Sequence, residues 1–189
     1  MPDSKGASAS ASGHRVTEEW MGETVETLAD LLNPGLRAVC VGINPAPVSV
    51  RAGHYYQGRL GQAFLARLRR AHLLPIDAHG WDDDVAFSNG IGFTDIVKRP
   101  TPSEADVRAD EYEHGRPLLA RKLEDVRPGL VIFSFKKVAE RFFGPFSGNG
   151  FVPGLRIGRA DVYIMPGPYE RRETVEARLS ELADREPKY

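Results

Sequence analysis

The feature that most constrains the fold is Leu36–Ile43, a short run that is apolar almost throughout. A run of this kind is typical of a strand buried on both faces of a parallel sheet. We expect further buried strands at Val85–Ser88 and Leu130–Phe133. A hairpin is expected with arms at Gly154–Gly158 and Asp161–Met165. In a chain of 189 residues these strands predict one sheet within a single well-filled domain.

Segments with helical spacing of apolar residues separate these strands. The pattern predicts helices over Thr17–Leu32, Gly61–His72, Pro102–Val126 with a break near His114 and Gly115, Lys136–Phe143, and Glu173–Asp184. Strands that alternate with helices favour an α/β fold. We therefore predict a three-layer α/β/α sandwich around a mainly parallel central sheet.

The first residues of the chain are rich in Ser, Ala and Gly and lack the apolar core of a secretory signal. We interpret residues 1–14 as a disordered tail and residues 15–189 as a single domain. No apolar run approaches the length that crosses a bilayer, so a membrane role is not expected. The expected location is cytoplasmic.

The formal net charge of −1 gives no support to a nucleic-acid partner by itself. Residues 1–30 are acidic, however, so the remainder is mildly basic. Its cations cluster at Arg67, Arg69 and Arg70, at Lys98 and Arg99, at Lys136 and Lys137, and at Arg171 and Arg172. Such clusters suit phosphate contacts, but they are also common on solvated surfaces, so this support is weak.

Several familiar sites are missing from the sequence. No phosphate-binding GxxxxGK[ST] loop is present, and no GxGxxG follows the first predicted strand. The histidines are scattered rather than spaced as metal ligands. The single Cys40 excludes an internal disulfide and a four-cysteine iron–sulfur cluster. Ser134 lies between phenylalanines rather than in a GxSxG elbow. We therefore expect neither a metal nor another cofactor.

Ligands of parallel sheets bind beyond the carboxyl ends of the strands. In this chain those ends carry Asn44-Pro45, the loop Asn89–Asp95, Ser134, and Pro166–Glu170. Three of these four segments are rich in residues that shape tight loops. The sequence therefore predicts a ligand site at one end of the sheet.

Three kinds of side chain near that end suit recognition of a base. The amide of Asn44 can hold one water in a fixed place. Tyr55 or Tyr56 offers a flat face on which a base can stack, and Asp95 can accept a hydrogen bond from a ring N–H. Each has an ordinary alternative, since Asn before Pro shapes turns, tyrosines fill cores and Asp caps helices.

Four segments, in order, resemble the mismatch-specific uracil/thymine DNA glycosylases of the uracil-DNA glycosylase superfamily. They are GINPA at residues 42–46, GHYYQG at 53–58, GIGFTDIVKRPT at 90–101 and MPGPYER at 165–171. Together they span about residues 36–184. A lone GINP is a weak signal, whereas four ordered segments are a specific one.

The resemblance implies a role for each site residue. Asn44 would position the attacking water, Tyr56 would stack on the flipped base and Asp95 would face the polar edge of that base. The backbone near Ile43 and the pocket loop with His54 and Tyr55 would complete the base-binding site. Residues implied to enter the DNA as a wedge are Pro168, Tyr169, Glu170 and Arg171.

The resemblance also implies an activity. The chain would be a monofunctional DNA glycosylase of base excision repair that hydrolyses the N-glycosidic bond of uracil or a related mispaired or damaged base. Its partner would be DNA that contains uracil or mismatched bases, G·U above all. No cofactor is needed, and the chemistry requires only a monomer.

Three departures from the family pattern leave alternatives open. Ala46-Pro47 replaces the usual Gly and apolar residue, and Pro168-Tyr169-Glu170 replaces smaller residues. Asp95 stands where the family often has Asn, and it can read the base or act as a general base. A non-catalytic relative that binds damaged DNA and a hydrolase of free nucleosides are the two alternative functions.

Overall fold

The computed structural model describes residues 13–76 and 79–185. The strands are β1 (Arg15–Trp20), β2 (Glu23–Leu28), β3 (Ala38–Gly42), β4 (Ile91–Asp95), β5 (Leu130–Phe133), β6 (Gly150–Ile157) and β7 (Ala160–Ile164). The helices are α1 (Pro47–Ala52), α2 (Arg59–Arg70), α3 (Asp82–Ser88), α4 (Ala109–Val126), α5 (Lys136–Phe143) and α6 (Arg172–Arg185), with a single 3-10 turn at Glu104–Asp106.

The central sheet has five strands in the order β4-β3-β5-β7-β6. Neighbouring strands are parallel from β4 through β7, and only β6 runs antiparallel at the edge. The strands β1 and β2 form a separate antiparallel hairpin. Because four parallel strands end at the same side of the sheet, their carboxyl ends form one continuous edge.

The core is divided between the two faces of the sheet. Ala38 and Cys40 of β3 point to the face covered by α2, α3 and α6, and Val39 and Val41 point to the face covered by α4 and α5. This alternation follows from the two-residue period of a strand. The three-layer α/β/α sandwich is therefore confirmed. None of the described helices is long and apolar enough to cross a membrane.

The helix expected over Thr17–Leu32 is wrong, because this segment forms the hairpin of β1 and β2. Met21 and Gly22 both have positive φ, which is the geometry of the tight turn that joins two twisted strands. The inward residues Trp20 and Val25 are buried by alternation rather than by helical spacing.

The strand expected at Val85–Ser88 is also wrong, because these residues form the end of α3. Residues expected to form a loop at Asn89–Asp95 instead contain the buried strand β4. Gly92 made this segment look like a loop. In the structure a Cβ at Gly92 would collide with the Leu31 carbonyl oxygen, since Leu31 pairs with the neighbouring Phe93.

The expected break near His114 and Gly115 is absent, and α4 runs through both residues. Gly115 lies where a Cβ would collide with the Ile96 carbonyl oxygen, so this glycine serves close packing. The helix expected from Pro102 begins only at Ala109, after the 3-10 turn, and the other predicted helices and strands are confirmed with bounds shifted by a few residues.

The predicted tail at residues 1–14 lies outside the described residues except at its end. There the His14 N–H donates to the Gly53 carbonyl at 2.7 Å, and the His14 carbonyl accepts from the Ala29 N–H at 2.8 Å. The division into a tail and one domain over residues 15–189 stays a prediction.

Candidate active site

A cavity of about 440 Å³ opens at the carboxyl ends of β3, β4 and β5. Its wall includes Gly42, Ile43, Asn44, Pro45, Ala46, Tyr55, Tyr56, Asp95, Thr101, Ser134 and Phe135. The volume lies within the usual range of small-molecule sites and is ample for one nucleobase. The cavity is therefore at the edge of the sheet where the sequence predicts a ligand.

The registered pair of Gly42 on β3 and Asp95 on β4 forms the floor of the cavity. A Cβ at Gly42 would collide with Asp95 Oδ1 and would lie 3.2 Å from the Tyr56 hydroxyl oxygen. Only glycine therefore leaves room for the Asp95 carboxyl to lie across β3. The carbonyl of the next residue, Ile43, accepts from the Val97 N–H at 2.8 Å, which ties the wall to the segment after β4.

The side chain of Asn44 is held in one orientation. Its Nδ2 donates to the Arg99 carbonyl at 2.9 Å and to Thr101 Oγ1 at 2.8 Å, so both amide hydrogens are used. Thr101 Oγ1 in turn donates to the Ser103 carbonyl at 2.7 Å. Asn44 Oδ1 remains as the acceptor that can hold a water. Sequence reasoning gave Thr101 no role, since nothing in the order of residues pairs it with Asn44.

Tyr56 lies in the cavity wall with an unusual backbone conformation, at φ 60°. Its ring packs against Phe64 and Phe93, with centroid separations of 4.7 and 5.9 Å. Gly61, in the first turn of α2, allows this approach because a Cβ there would lie 2.5 Å from the Tyr56 carbonyl oxygen. The strained residue is thus clamped by its neighbours, as is common at functional sites.

Tyr55 and His54 differ from Tyr56 in their surroundings. Tyr55 lines the cavity, but it is only 2% exposed and its hydroxyl donates to the Ala29 carbonyl at 3.0 Å. His54 is not among the cavity-lining residues; its Nδ1 lies 2.9 Å from Asp83 Oδ1 and its ring stacks on Trp81. The structure therefore brings Tyr55 and Tyr56 to the cavity and turns His54 away from it.

The Asp95 carboxyl is buried in the cavity floor and only 4% exposed. Burial raises its pKa to about 7, with the charge of Asp30 adding to the rise and those of Lys98 and Lys122 opposing it. Near neutral pH this carboxyl therefore exists in both protonation states. A carboxyl whose pKa lies near neutral pH can serve either as a general acid or as a general base.

Four buried side-chain atoms have no hydrogen-bond partner among the described residues, and three of them belong to residues that line this cavity. These three are the Tyr56 hydroxyl, Asp95 Oδ2 and the Ser134 hydroxyl, whereas the fourth is Thr27 Oγ1. A buried polar atom without a partner costs roughly 1–3 kcal/mol. Their concentration in one cavity indicates a ligand with a polar edge.

The Tyr56 phenol stays neutral at any physiological pH. Burial and the neighbouring Asp95 raise its pKa well above the usual value. The nearby Ser134 hydroxyl opposes this rise, although the two hydroxyls do not meet the geometry of a hydrogen bond. Both hydroxyls are therefore available to donate or accept. The position of Ser134 after a buried strand was the only sequence signal for this role.

The four residues expected to form a wedge lie on the exposed loop between β7 and α6. Pro168, Tyr169, Glu170 and Arg171 are all exposed, and Tyr169 is 99% exposed. The start of the loop is fixed by Arg67 of α2, whose guanidinium donates to the carbonyls of Pro166 and Gly167. The tip is thus accessible while its base is held.

Most of the clustered cations are bound to acids. Lys98 is buried and pairs with Asp30 Oδ1 at 2.9 Å, and its Nζ also donates to the Leu28 carbonyl at 2.8 Å. The Thr94 hydroxyl donates to the same Oδ1 at 2.7 Å, and Lys122 pairs with Asp30 Oδ2 at 2.5 Å. The pairs elsewhere are Arg69–Asp82, Arg70–Glu176, Lys136–Glu140, Lys137–Glu104 and Arg172–Glu176. The buried Lys98 is therefore structural, whereas the other pairs of this group lie at or near the surface.

A second buried carboxylate, Glu111 of α4, lies outside the cavity and has four donors. Arg99 donates to it through Nε at 2.8 Å and Nη2 at 2.6 Å. The Arg108 N–H donates at 3.0 Å and Trp20 Nε1 at 3.2 Å. Burial alone would raise its pKa, but the hydrogen bonds from Arg99 and Arg108 lower it to about 2.

Residues 29–176 match the model of the family described as the uracil DNA glycosylase superfamily. The matched range contains the cavity wall from Gly42 to Phe135 and the exposed loop after β7. It also contains Asn44, with its oriented amide, and the unpaired buried carboxyl of Asp95. The chain therefore belongs to the uracil DNA glycosylase superfamily, and its class of activity is the hydrolytic removal of uracil-type bases from DNA.

Proposed function

We propose that the chain is a monofunctional, mismatch-directed DNA glycosylase that hydrolyses the N-glycosidic bond of uracil, or of a closely related mispaired or damaged base, in base excision repair. The observation that carries this proposal is the convergence of Asn44, Tyr56 and Asp95 on one cavity of about 440 Å³. The family match supports the class of reaction. The finer assignments below rest on the chemistry of these side chains.

Asn44 holds the attacking water. An amide is too weak a base to take a proton from water, so its contribution is to place the nucleophile through Oδ1. The hydrogen bonds from Nδ2 to Arg99 and Thr101 prevent the amide from turning its NH₂ group toward the water. Thr101 is therefore a positioning residue for Asn44.

Asp95 supplies the base that Asn44 does not. Its pKa of about 7 keeps a large carboxylate fraction near neutral pH, and this carboxylate accepts a proton as the water attacks. The sugar develops oxocarbenium character while the base departs as an anion. Bases that form stable anions, such as uracil and 5-substituted uracils, are therefore the preferred substrates.

The unpaired polar atoms of the cavity suit the edge of a pyrimidine. Uracil presents one N–H donor between two carbonyl acceptors. The Ser134 hydroxyl offers a donor and an acceptor for such an edge, and the Asp95 carboxyl does so in the alternative in which it reads the base instead of serving the water. The ring of Tyr56 supplies the stacking surface.

The exposed loop with Pro168, Tyr169, Glu170 and Arg171 enters the duplex where the nucleotide leaves it. Flipping costs a few kcal/mol and costs less at a mismatch, so G·U sites are favoured over A·U pairs. The cavity is built within one chain, so the protein acts as a monomer on its DNA partner.

The test is cleavage of labelled oligonucleotides that carry one uracil, as G·U, A·U or single strand, followed by alkali. We expect alkali-labile sites with wild-type protein and a loss of roughly 100-fold or more for Asn44→Ala. Asn89→Ala is the matched control, since Asn89 lies at the end of α3, outside the cavity wall. Full activity of a folded Asn44→Ala protein contradicts the mechanism.

The pH profile of single-turnover cleavage tests the role of Asp95. We expect the rate to rise with pH up to about 7 as the carboxylate forms, and Asp95→Asn to remove this rise. A rate that falls over the same range would instead assign Asp95 as a protonated donor to a carbonyl of the base. Binding of uracil DNA without any alkali-labile product would identify a non-catalytic relative. Cleavage of free deoxyuridine without cleavage of DNA would identify a nucleoside hydrolase.

A further inference from the structure

Two histidines and two aspartates converge outside the cavity, on the far side of the loop that carries Tyr55 and Tyr56. They are His14 before β1, His54 after α1, and Asp83 and Asp84 in the first turn of α3. One potential ligand atom from each lies within 4.8 Å of all the others. We propose that this cluster binds a divalent transition-metal ion of the zinc type.

The separations fit a four-coordinate ion. His14 Nε2 lies 2.7 Å from Asp84 Oδ1 and 3.9 Å from Asp83 Oδ2. His54 Nδ1 lies 2.9 Å from Asp83 Oδ1 and 3.9 Å from Asp84 Oδ2. A tetrahedron with metal–ligand bonds of about 2.0–2.1 Å has edges of about 3.3 Å, between these two sets of distances. The four ligand atoms lie within 4.8 Å of one another, so the side chains must draw together to reach this geometry when an ion binds.

The donor set selects the class of ion. Two imidazole nitrogens favour zinc and its borderline neighbours such as cobalt over magnesium and calcium, which take oxygen ligands. Two carboxylates balance the charge of a divalent cation. The mixture of nitrogen and oxygen donors, from three separate segments, therefore matches zinc or cobalt.

The acids alone have another explanation, since carboxylates stabilise the first turn of a helix. That effect does not require two imidazoles from two other segments to meet the same carboxylates. It also does not require the complete burial of Asp83, or the 5% exposure of His54. The convergence of the four side chains, which pair as His14–Asp84 and His54–Asp83 without an ion, is therefore the observation that carries the proposal.

The ion would be structural rather than catalytic, because none of its four ligands lines the cavity. Asp83 already accepts from the Tyr55 N–H at 2.7 Å through Oδ2, and the His14 N–H donates to the Gly53 carbonyl. A metal at this cluster would therefore fix the N-terminal turn, the tyrosine loop and α3 to one another. The tyrosine wall of the cavity would be stiffened as a result.

The experiment uses full-length protein without an affinity tag, freed of metals by chelation and titrated with Zn²⁺ by calorimetry and with Co²⁺ by absorption spectroscopy. We expect one equivalent to bind and the visible bands of four-coordinate Co²⁺ to appear. His14→Ala and Asp84→Asn should each weaken Zn²⁺ binding by 10-fold or more, as loss of one ligand from four predicts.

His72→Asn is the matched control, since His72 is exposed, lies outside the cluster and has the positive φ that Asn tolerates. His54 is buried, so folding of a His54→Ala protein is checked by circular dichroism before titration. An ion concentration that just saturates the wild-type protein should also raise its melting temperature by more than that of Asp84→Asn. Absence of a saturable site, or equal binding by wild type and all cluster variants, overturns the proposal whatever the glycosylase assay shows.

Discussion

Two buried carboxyl groups in this molecule have opposite surroundings. Glu111 of α4 is 0% exposed and accepts hydrogen bonds from Arg99, Arg108 and Trp20, and its pKa falls to about 2. Asp95 of β4 is 4% exposed, its Oδ2 has no donor within the described part of the chain, and its pKa rises to about 7. Both side chains are closed to solvent, but Asp95 lies deeper in the protein, so the difference in pKa comes from stronger desolvation together with the missing donors.

The comparison separates a group that serves the fold from a group that serves the site. Removing Glu111 would leave donors from Arg99 and Trp20 without an acceptor, so its charge contributes to stability. Asp95 has no such partners, and its ionised form is held at a cost to the fold. The same architecture can supply donors to a buried carboxylate, so their lack at Asp95 reflects its position in a ligand cavity.

The largest expected effects come from neutralising each carboxyl in turn. Glu111→Gln should lower the free energy of unfolding by roughly 2–4 kcal/mol, because a buried ion pair loses one partner. Asp95→Asn should leave stability at pH 8 unchanged or higher, while uracil excision falls by roughly 100-fold. Urea denaturation and the oligonucleotide assay measure the two quantities.

Each variant is the control for the other. Glu111→Gln should keep its activity at temperatures where it is folded, since Glu111 does not line the cavity. If Asp95→Asn is less stable than Glu111→Gln, the assignment of Glu111 to the fold and of Asp95 to the site is contradicted.

The pH dependence of stability should also differ in sign. Asp95 has a folded pKa of about 7 against an ordinary 3.8, so its contribution to stability falls as pH rises between these values, by at most roughly 1.4 kcal/mol per unit. Glu111 has a folded pKa of about 2 against 4.5, so its contribution is present above pH 4.5 and is lost as pH falls toward 2.

Urea denaturation of wild type and both variants at pH 3, 5 and 8 measures these slopes. Asp95→Asn should gain stability relative to wild type from pH 5 to 8. Glu111→Gln should approach wild type at pH 3. Parallel curves for wild type and Asp95→Asn would mean that the carboxyl is not shifted in the folded state.

A smaller version of the comparison concerns two hydroxyls at the carboxyl ends of β4 and β5, the strands on either side of β3. The Thr94 hydroxyl donates to the charged Asp30 at 2.7 Å, whereas the Ser134 hydroxyl has no partner among residues 13–76 and 79–185. Thr94→Val should lower the unfolding free energy by about 1–2 kcal/mol, and Ser134→Ala should leave it unchanged or raise it. Ser134→Ala should slow excision several-fold.

Thr27→Val is the control for Ser134→Ala, because Thr27 also carries an unpartnered hydroxyl but does not line the cavity. It should leave excision unchanged and leave the unfolding free energy unchanged or higher. Thr94→Ser keeps the hydroxyl and should keep most of the stability. A stability loss with Ser134→Ala as large as with Thr94→Val would remove the distinction between the two hydroxyls.

Much of the fold is predictable because the buried strands carry a strong local signal. The continuous apolar residues of β3 and β5 indicate buried strands, and Gly144 marks the end of α5. The segment of β1 and β2 has no such signal, since its charged residues fit an amphipathic helix until the turn at Met21 and Gly22 is known. The strand β4 was missed because its glycine serves a contact with distant Leu31.

The site shows the same limit. Asn44, Tyr56 and Asp95 are predictable because each lies in a recognisable segment, and the structure places all three at one cavity. Thr101 was not singled out, since its contact with Asn44 joins residues 57 positions apart. The spacing of the histidines in the sequence also gives no sign that His14 and His54 are neighbours, although their ring centroids lie 5.2 Å apart.

The registered pair of Gly42 and Asp95 has a consequence for how this sequence can vary. Because the Asp95 carboxyl occupies the place that a Cβ at position 42 would take, substitutions at positions 42 and 95 depend on each other. A side chain at position 42 becomes tolerable only after position 95 has shortened or turned away. A mutational library that varies either position alone will therefore sample mostly inactive proteins, and an altered base preference must be sought among double substitutions.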